Sequence, residues 1–356
     1  MNQRVLKLME RLALDQREAV LVHNPSNMFY LSGYTGEGLV LIGREMQVIV
    51  TDFRYTEQAE KQAPGFSVEM TEKGVSHEAI VGRLCAEHEI GALYYEDDYL
   101  TVRSFESCRK AVPGVEWKSL HEEVQHIRQI KDEDELSRIA EACRITGEAF
   151  ERLLPEIKEG VTEKELALKL EFDMLTHGAT GLAFSTIVAA GANGSLPHAV
   201  PGDYKVRLGD MITFDFGAKY NGYCADMTRT VALGQPSDEM RKVYQTVLTA
   251  QQTARDAVMA GKCCKDIDAI ARDYIYSHGY EGRFGHGLGH SVGIDIHEEP
   301  RLSMTCSAIL EENQIMTVEP GIYLPGVGGV RIEDSVIVKK DGCIPLTSPT
   351  RELIIL

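Results

Sequence analysis

The chain has 356 residues, 44% hydrophobic and 26% charged, the make-up of a globular protein with room for two domains. Its net charge of −17 excludes the basic face that a phosphate-backbone partner requires, so no nucleic-acid partner is expected. No apolar run approaches the roughly 18 residues of a membrane span, so no membrane partner is expected either.

The first residues place Val5, Leu6, Leu8, Met9, Leu12 and Leu14 among charges, which reads as an amphipathic helix and not a signal peptide. The eight cysteines form no CxxC pair and are expected to be buried free thiols in a reducing cytoplasm. Residues 19–22, 39–42, 47–50 and 92–95 read as strands, and 75–88 as a helix. Strands alternating with helices predict an α/β N-terminal domain over residues 1–125, and it holds no dense cluster of catalytic residue types. The acidic run from Asp132 to Glu135 precedes Leu136, Ile139, Ala140 and Cys143 at helical spacing and starts a second domain, 126–356. Thr162 and Glu165 fit a capping box ahead of another helix. From about 184 the pattern turns β-rich, with a helical interval over roughly 237–278.

Three segments of this second domain carry chemistry. In MITFDFGAKYNGYCADMTRT, Asn221-Gly222 predicts a type I′ hairpin turn, which needs positive φ at both central residues. That register sets Gly217 opposite Asp226 and leaves Asp215 and Asp226 as diagonal neighbours on one face, about 7 Å apart at the backbone. Two carboxylates at that reach suit a pair of cations, and without cations they repel or take up protons. In RFGHGLGHSVGIDIHEEP, His286, His290 and His297 lie within twelve residues among glycines. No HExxH is present, so the cluster reads as one ligand plus residues that contact substrate. In IMTVEPGIYLPGVGGVRIEDS, Glu319 and Glu333 flank a glycine-rich turn. A two-residue turn at Val327-Gly328 would put them on opposite faces, so a shared face requires an odd loop length or a bulge. Arg331 shares a strand face with Glu333 and is placed to hold the carboxylates. Asp215, Asp226, His290, Glu319 and Glu333 form a hard, oxygen-rich donor set that favours two divalent cations over one structural zinc. The first reading is a dinuclear metallohydrolase.

These motifs, in the order Asp, Asp, His, Glu, Glu, resemble the creatinase/aminopeptidase superfamily with its pita-bread fold, and within it the Xaa-Pro peptidases. The resemblance covers the whole chain. It implies a creatinase-like α/β N-terminal domain and an α+β pita-bread catalytic domain. It also implies two divalent ions, Mn²⁺ first and Co²⁺ or Zn²⁺ as alternatives, held by those five residues. His198, in SLPHAV, matches a histidine near the scissile bond, and His297 one that stabilises the tetrahedral intermediate. Glu319 is implied as both ligand and proton shuttle. The implied reaction is hydrolysis of the Xaa-Pro bond of short proline-containing peptides by a cytoplasmic homodimer. Xaa-Pro dipeptidase (prolidase) is expected, with aminopeptidase P, acting on longer peptides, as the alternative. Arg301, just after HEEP, is the candidate binder of a dipeptide's carboxylate. A non-catalytic binding protein or a metal-free creatinase-like enzyme on the same fold would have lost ligands, and all five are present.

Overall fold

The structure is a computed structural model and describes residues 2–356. The chain forms two compact units, one ending at Arg128 and the other spanning Gln129–Leu356. The division falls three residues after the boundary expected from sequence.

The first unit is a six-stranded mixed sheet flanked by helices. Its strands are β1 (Glu18–Val22), β2 (Leu39–Gly43), β3 (Met46–Thr51), β4 (Ser67–Met70), β5 (Ala92–Tyr95) and β6 (Glu116–Ser119), in spatial order β4-β3-β2-β1-β5-β6. Helices α1 (Gln3–Arg11), α2 (Pro25–Ser32), α3 (Thr56–Gln62), α4 (His77–Glu87), α5 (Val102–Ala111) and α6 (Glu123–Gln129) complete it. The strands expected from apolar runs and the amphipathic first helix are all present. The helices α2, α3 and α5 have short or mixed patterns that sequence periodicity did not separate from loop. Ile80, Val81 and Leu84 of α4 pack on Leu21, Leu41 and Val48 in one core. The buried Glu96 accepts hydrogen bonds from the backbone N–H groups of His23 and Asn24 and from Asn27 Nδ2, at 2.6, 2.8 and 2.7 Å, and so organises the start of α2.

The second unit has two halves of like construction, the α+β arrangement that the resemblance implies. In the first half, α7 (Glu133–Leu153) and α8 (Glu163–Thr176) pack on β8 (Ile187–Ala190), β9 (Met211–Phe216) and β12 (Met227–Ala232). In the second, α9 (Asp238–Asp256) and α10 (Cys264–Ser277) pack on a five-stranded sheet. That sheet holds β13 (Gly289–Ser291), β14 (Glu298–Leu302), β15 (Ile315–Val318), β18 (Asp334–Lys339) and β19 (Gly342–Pro345). Shorter strands β7 (Gly181–Leu182), β10 (Ala218–Tyr220), β11 (Tyr223–Cys224), β16 (Gly321–Leu324) and β17 (Gly328–Arg331) extend the hairpins. Both α7 and α8 begin with full capping boxes, Asp132 with Glu135 and Thr162 with Glu165. The helical interval over 237–278 is made of two helices. The chain breaks between Ala257 and Cys263, where Gly261 takes φ +84°, a conformation that favours glycine.

Candidate metal centre

The aspartate hairpin has the expected geometry. Asn221 and Gly222 take φ values of 45° and 87°, and Tyr220 pairs with Tyr223. The same register continues through Phe216–Met227 and Asp215–Thr228, which sets Gly217 opposite Asp226. The two strands approach closely here, and a Cβ on Gly217 would lie 1.8 Å from the Ala225 carbonyl oxygen. Glycine therefore lets the ladder bend where the acidic residues turn inward.

The glutamate hairpin resolves the question of register. Leu324 pairs with Gly328, so the loop is 325–327, an odd length, with Gly326 at φ +76°. Gly321 pairs with Arg331, and on the far side Val318 pairs with Asp334. Both registers place Glu319 opposite Glu333. Each hairpin thus delivers its acidic pair at the point where its ladder divides between two sheets.

These residues converge on one cavity of about 570 Å³, lined by Asp215, Asp226, His290, Glu319 and Glu333, with His198, His286, His297, Arg301, Tyr323 and Arg331 around them. One donor atom each of Asp226, His290 and Glu333 lies within 4.8 Å of the others. His290 Nε2 is 3.5 Å from Asp226 Oδ2 and 3.3 Å from Glu319 Oε1. Its Nδ1 lies 3.0 Å from the Ser291 carbonyl oxygen, which can only accept. That bond assigns the hydrogen to Nδ1 and turns the Nε2 lone pair toward the carboxylates in the neutral ring. A lone pair facing carboxylate oxygens needs a cation or a proton between them.

The protonation balance shows the same demand. Burial, followed by the charges of Glu333 and Asp215, pushes the Asp226 carboxyl well above its ordinary range. Burial, with Glu319 and Asp215, does the same to Glu333. Asp215 is also raised by burial, against the lowering effect of Arg331. At Glu319 burial works upward, but the hydrogen bond and charge of His290 win and hold its carboxyl at about 2. The partner change appears at His290, whose pKa rises although burial opposes it. Asp215 Oδ1 and Glu333 Oε1 are buried and accept no hydrogen bond. The native interior seldom leaves such oxygens alone. Four carboxylates, one oriented imidazole and two unsatisfied oxygens fit hard divalent cations.

Arg331 is buried and its Nη2 donates to Asp215 Oδ2 at 2.6 Å, so its ion pair is with the aspartate hairpin. Its Nη1 donates to Tyr323 Oη at 2.8 Å. Tyr323 Oη lies 2.9 Å from His286 Nε2, and His286 Nδ1 lies 2.8 Å from the Gly287 carbonyl. The carbonyl can only accept, so the hydrogens run one way: Arg331 to Tyr323, Tyr323 to His286, His286 to Gly287. Burial lowers the His286 pKa, which suits the neutral ring this chain requires. Tyr323 and the role of His286 were missed from sequence. Tyr323 reads as one more core aromatic of a strand, and only the odd loop length could have placed it beside the carboxylates.

His297 is exposed and sits edge-on to His290, with ring centroids 4.5 Å apart. Burial of part of its ring, then the charges of His290 and Arg301, lowers its pKa. His198 is exposed in the loop that follows the 191–195 turn. Arg301 stands opposite His290 across β13 and β14, half-exposed, and its Nε donates to Glu299 Oε1 at 3.1 Å.

Residues 3–130 match the creatinase/prolidase N-terminal domain, and residues 137–340 match metallopeptidase family M24. A Xaa-Pro dipeptidase of Pyrococcus horikoshii is 36% identical over 358 aligned residues, covering 99% of each chain. The solved structure of a Xaa-Pro dipeptidase from Bacillus anthracis superposes with a TM-score of 0.95 at 39% identity, covering 99% of each chain. That of an X-Pro aminopeptidase from Thermotoga maritima superposes with a TM-score of 0.91 at 38% identity, covering 98% of this chain and 99% of that one.

Proposed function

The chain belongs to metallopeptidase family M24, with a creatinase/prolidase N-terminal domain, and we propose that it hydrolyses the Xaa-Pro bond of dipeptides. Relatives that are Xaa-Pro dipeptidases along nearly their whole length support this reading. The observation that carries the chemistry is the pair of buried oxygens without hydrogen-bond partners, Asp215 Oδ1 and Glu333 Oε1, beside an imidazole whose lone pair faces carboxylates.

Asp215, Asp226, His290, Glu319 and Glu333 would hold two divalent ions, with Mn²⁺ the first choice and Co²⁺ or Zn²⁺ as alternatives. Bound there, such ions supply Lewis acidity for the peptide carbonyl and bring a water's pKa toward neutrality. The protein's own groups do the rest. Glu319, held ionised, takes the proton of the attacking water and returns it to the proline nitrogen as the bond breaks. His297 stays neutral near neutral pH and donates a hydrogen bond to the developing oxyanion. His198, on the other lip of the cavity, steadies the substrate beside the scissile bond. Arg331, Tyr323 and His286 fix the orientation of Asp215 from behind. Arg301 grips the carboxylate that lies next to the scissile bond only in a dipeptide.

A second reading, an aminopeptidase P acting on longer peptides, is favoured by the T. maritima neighbour and by the half-exposed position of Arg301. Eight free cysteines suit a reducing cytoplasm, and no helix among the described residues is long and apolar enough to cross a membrane. A homodimer completes the proposal.

The test is turnover of Xaa-Pro dipeptides and of tripeptides that begin Xaa-Pro, after chelation and reloading with Mn²⁺. The expected result is a preference for dipeptides. Arg301→Ala should cost the dipeptide about 2 kcal/mol in kcat/KM, the worth of a charge-assisted hydrogen bond, and the tripeptide much less. A preference for tripeptides moves the assignment to aminopeptidase P, and equal losses on both lengths remove Arg301 from substrate binding.

A further inference from the structure

Lys131 stands immediately before the N-cap of α7 and is buried, with 1% of its side chain exposed. Its backbone N–H donates to the Asn313 carbonyl at 3.1 Å, and the capping box of Asp132 and Glu135 fixes the residue that follows. Its ammonium donates to Ser291 Oγ and to Glu298 Oε2, each at 3.1 Å. Ser291 and Glu298 face each other across β13 and β14 and close the loop 292–297. One cation therefore bridges both strands at the base of that loop. Each of its partners also follows a histidine of the metal cavity, Ser291 after His290 and Glu298 after His297. The histidines line the cavity, whereas Lys131, Ser291 and Glu298 do not. Neighbours along a strand point to opposite faces, so the lysine holds the ladder from the side away from the cavity.

The loop is built round these contacts. Glu298 Oε1 accepts from the Asp295 N–H at 3.2 Å, and the Gly293 N–H donates to the Asp295 carbonyl at 3.1 Å. A Cβ on Gly293 would lie 2.5 Å from Glu298 Oε2, so the carboxylate lies against the backbone where the loop begins. Ser291 gives its carbonyl to His290 Nδ1 at 3.0 Å, the bond that orients that ring. The ladder shifts register between His290 and Ser291, so strand pairing alone does not set where His290 and His297 meet. They meet edge-on, with 4.5 Å between ring centroids. A buried ion pair seldom adds net stability over apolar side chains of like size, so stability alone does not account for this one. We infer that Lys131 is a positioning residue of the metal centre, which acts through Ser291 and Glu298 to hold His290 and His297 in place.

The consequence for turnover rests on the peptidase reading, and a second measurement does not. Hydrolysis of Xaa-Pro dipeptides is compared for Mn²⁺-loaded wild type, Lys131→Met, Glu298→Gln and the double variant, with thermal melts to confirm folding. Lys131→Met should lower kcat by about 10–100-fold, as for groups that orient metal ligands. KM should stay within about threefold, because His297 acts on the oxyanion and not on the bound substrate. The double variant removes both charges, leaves no unpaired ion in the interior and should fold even where Lys131→Met does not. Its loss should match that of the single changes within about threefold, since all three break one link. A merely structural lysine would lower the melting temperature and leave kcat of the folded enzyme unchanged. The second measurement is NMR on the metal-free protein with isotope-labelled histidine. The His297 ring signal, identified by its loss in His297→Gln, should move in Lys131→Met and in the double variant. An unmoved His297 signal, kcat within about threefold of wild type in the folded double variant, or losses that multiply in the double would overturn the inference. Wild type without Xaa-Pro turnover would defeat the peptidase reading instead, and the His297 signal would still decide the role of Lys131.

Discussion

Glu333 and Asp334 are neighbours in the chain and both are buried, yet they lie in opposite kinds of surroundings. Strand alternation sends them to opposite faces. Asp334 accepts from Arg229 Nη2 at 2.9 Å, Thr347 Oγ1 at 2.7 Å, Gln251 Nε2 at 2.9 Å and Arg351 Nε. Burial pushes its pKa up, but Arg229 and Arg351 outweigh it and hold the carboxyl below its ordinary value. Glu333 receives one hydrogen bond, from Thr228 Oγ1 at 2.7 Å, and its Oε1 receives none. Burial therefore prevails, and its pKa is raised well above the usual range. Arg229 ties the two faces together, pairing with Asp334 while its Nη1 donates to the backbone carbonyl of Glu333. Burial of a carboxylate does not by itself mark a functional site. A fully satisfied carboxylate holds the fold, and a partly satisfied one among others of its kind calls for a cation.

Breaking each face should give opposite results. Glu333→Gln should abolish turnover, by about a thousandfold or more, because even the outer partners of metal ligands commonly account for 10–100-fold. At neutral pH it should leave the chelated protein at least as stable as wild type, since it removes a buried carboxyl whose charge has no cationic partner. Asp334→Ala strands the Arg229 guanidinium in the interior and should cost about 3–5 kcal/mol of stability with or without metal. Thermal melts with and without chelator, alongside peptidase assays, check both. Equal destabilisation by the two changes would erase the distinction.

The pH dependence sharpens the comparison. The raised values at Asp226 and Glu333 mean that the unfolded chain gives up these protons at lower pH than the folded one. Their contribution favours folding below the unfolded pKa of about 4 and is lost as pH rises through their raised folded-state values. Glu319, held at about 2, acts the other way, and its contribution is lost only as pH falls from about 4 toward 2. In chelated protein, the melting temperature of wild type minus that of Glu333→Gln should therefore decrease as pH rises above about 4. Saturating Mn²⁺ should reverse that slope, because ionised carboxylates bind the cation and metal binds the folded site. A difference that is flat with pH under both conditions would contradict the assignment.

A smaller effect is expected behind the ligands. Tyr323→Phe removes the hydroxyl that links Arg331 to His286 while keeping the ring. Activity should fall by about 10–100-fold, with little change in melting temperature. Activity within twofold of wild type, measured as kcat/KM, would mean that Arg331 orients Asp215 without Tyr323.

How much of this was legible in the sequence depended on the turns. Asn221-Gly222 permits one common hairpin geometry, so the facing of Asp215 and Asp226 follows from counting residues, and the observed register agrees. Pro325-Gly326-Val327 permits several geometries, so the meeting of Glu319 and Glu333 stayed open until the loop length was seen. Apolar runs disclosed the buried strands of the N-terminal domain because burial on both faces leaves no other pattern. Its helices α2, α3 and α5 were not visible. The start of α2, for one, is held by Glu96, which lies about seventy residues away in the chain. Likewise, nothing local distinguishes Glu333 from Asp334. Their partners come from remote segments, Thr228 for one and Gln251, Thr347 and Arg351 for the other.

The measurement that bears most directly on the central claim is a calorimetric titration of the chelated full chain with Mn²⁺, repeated on Asp226→Ala. The account predicts saturable binding of two equivalents by wild type, a rise in its melting temperature, and loss of both in the folded variant. Absence of saturable binding, or the same binding in Asp226→Ala as in wild type, would contradict it.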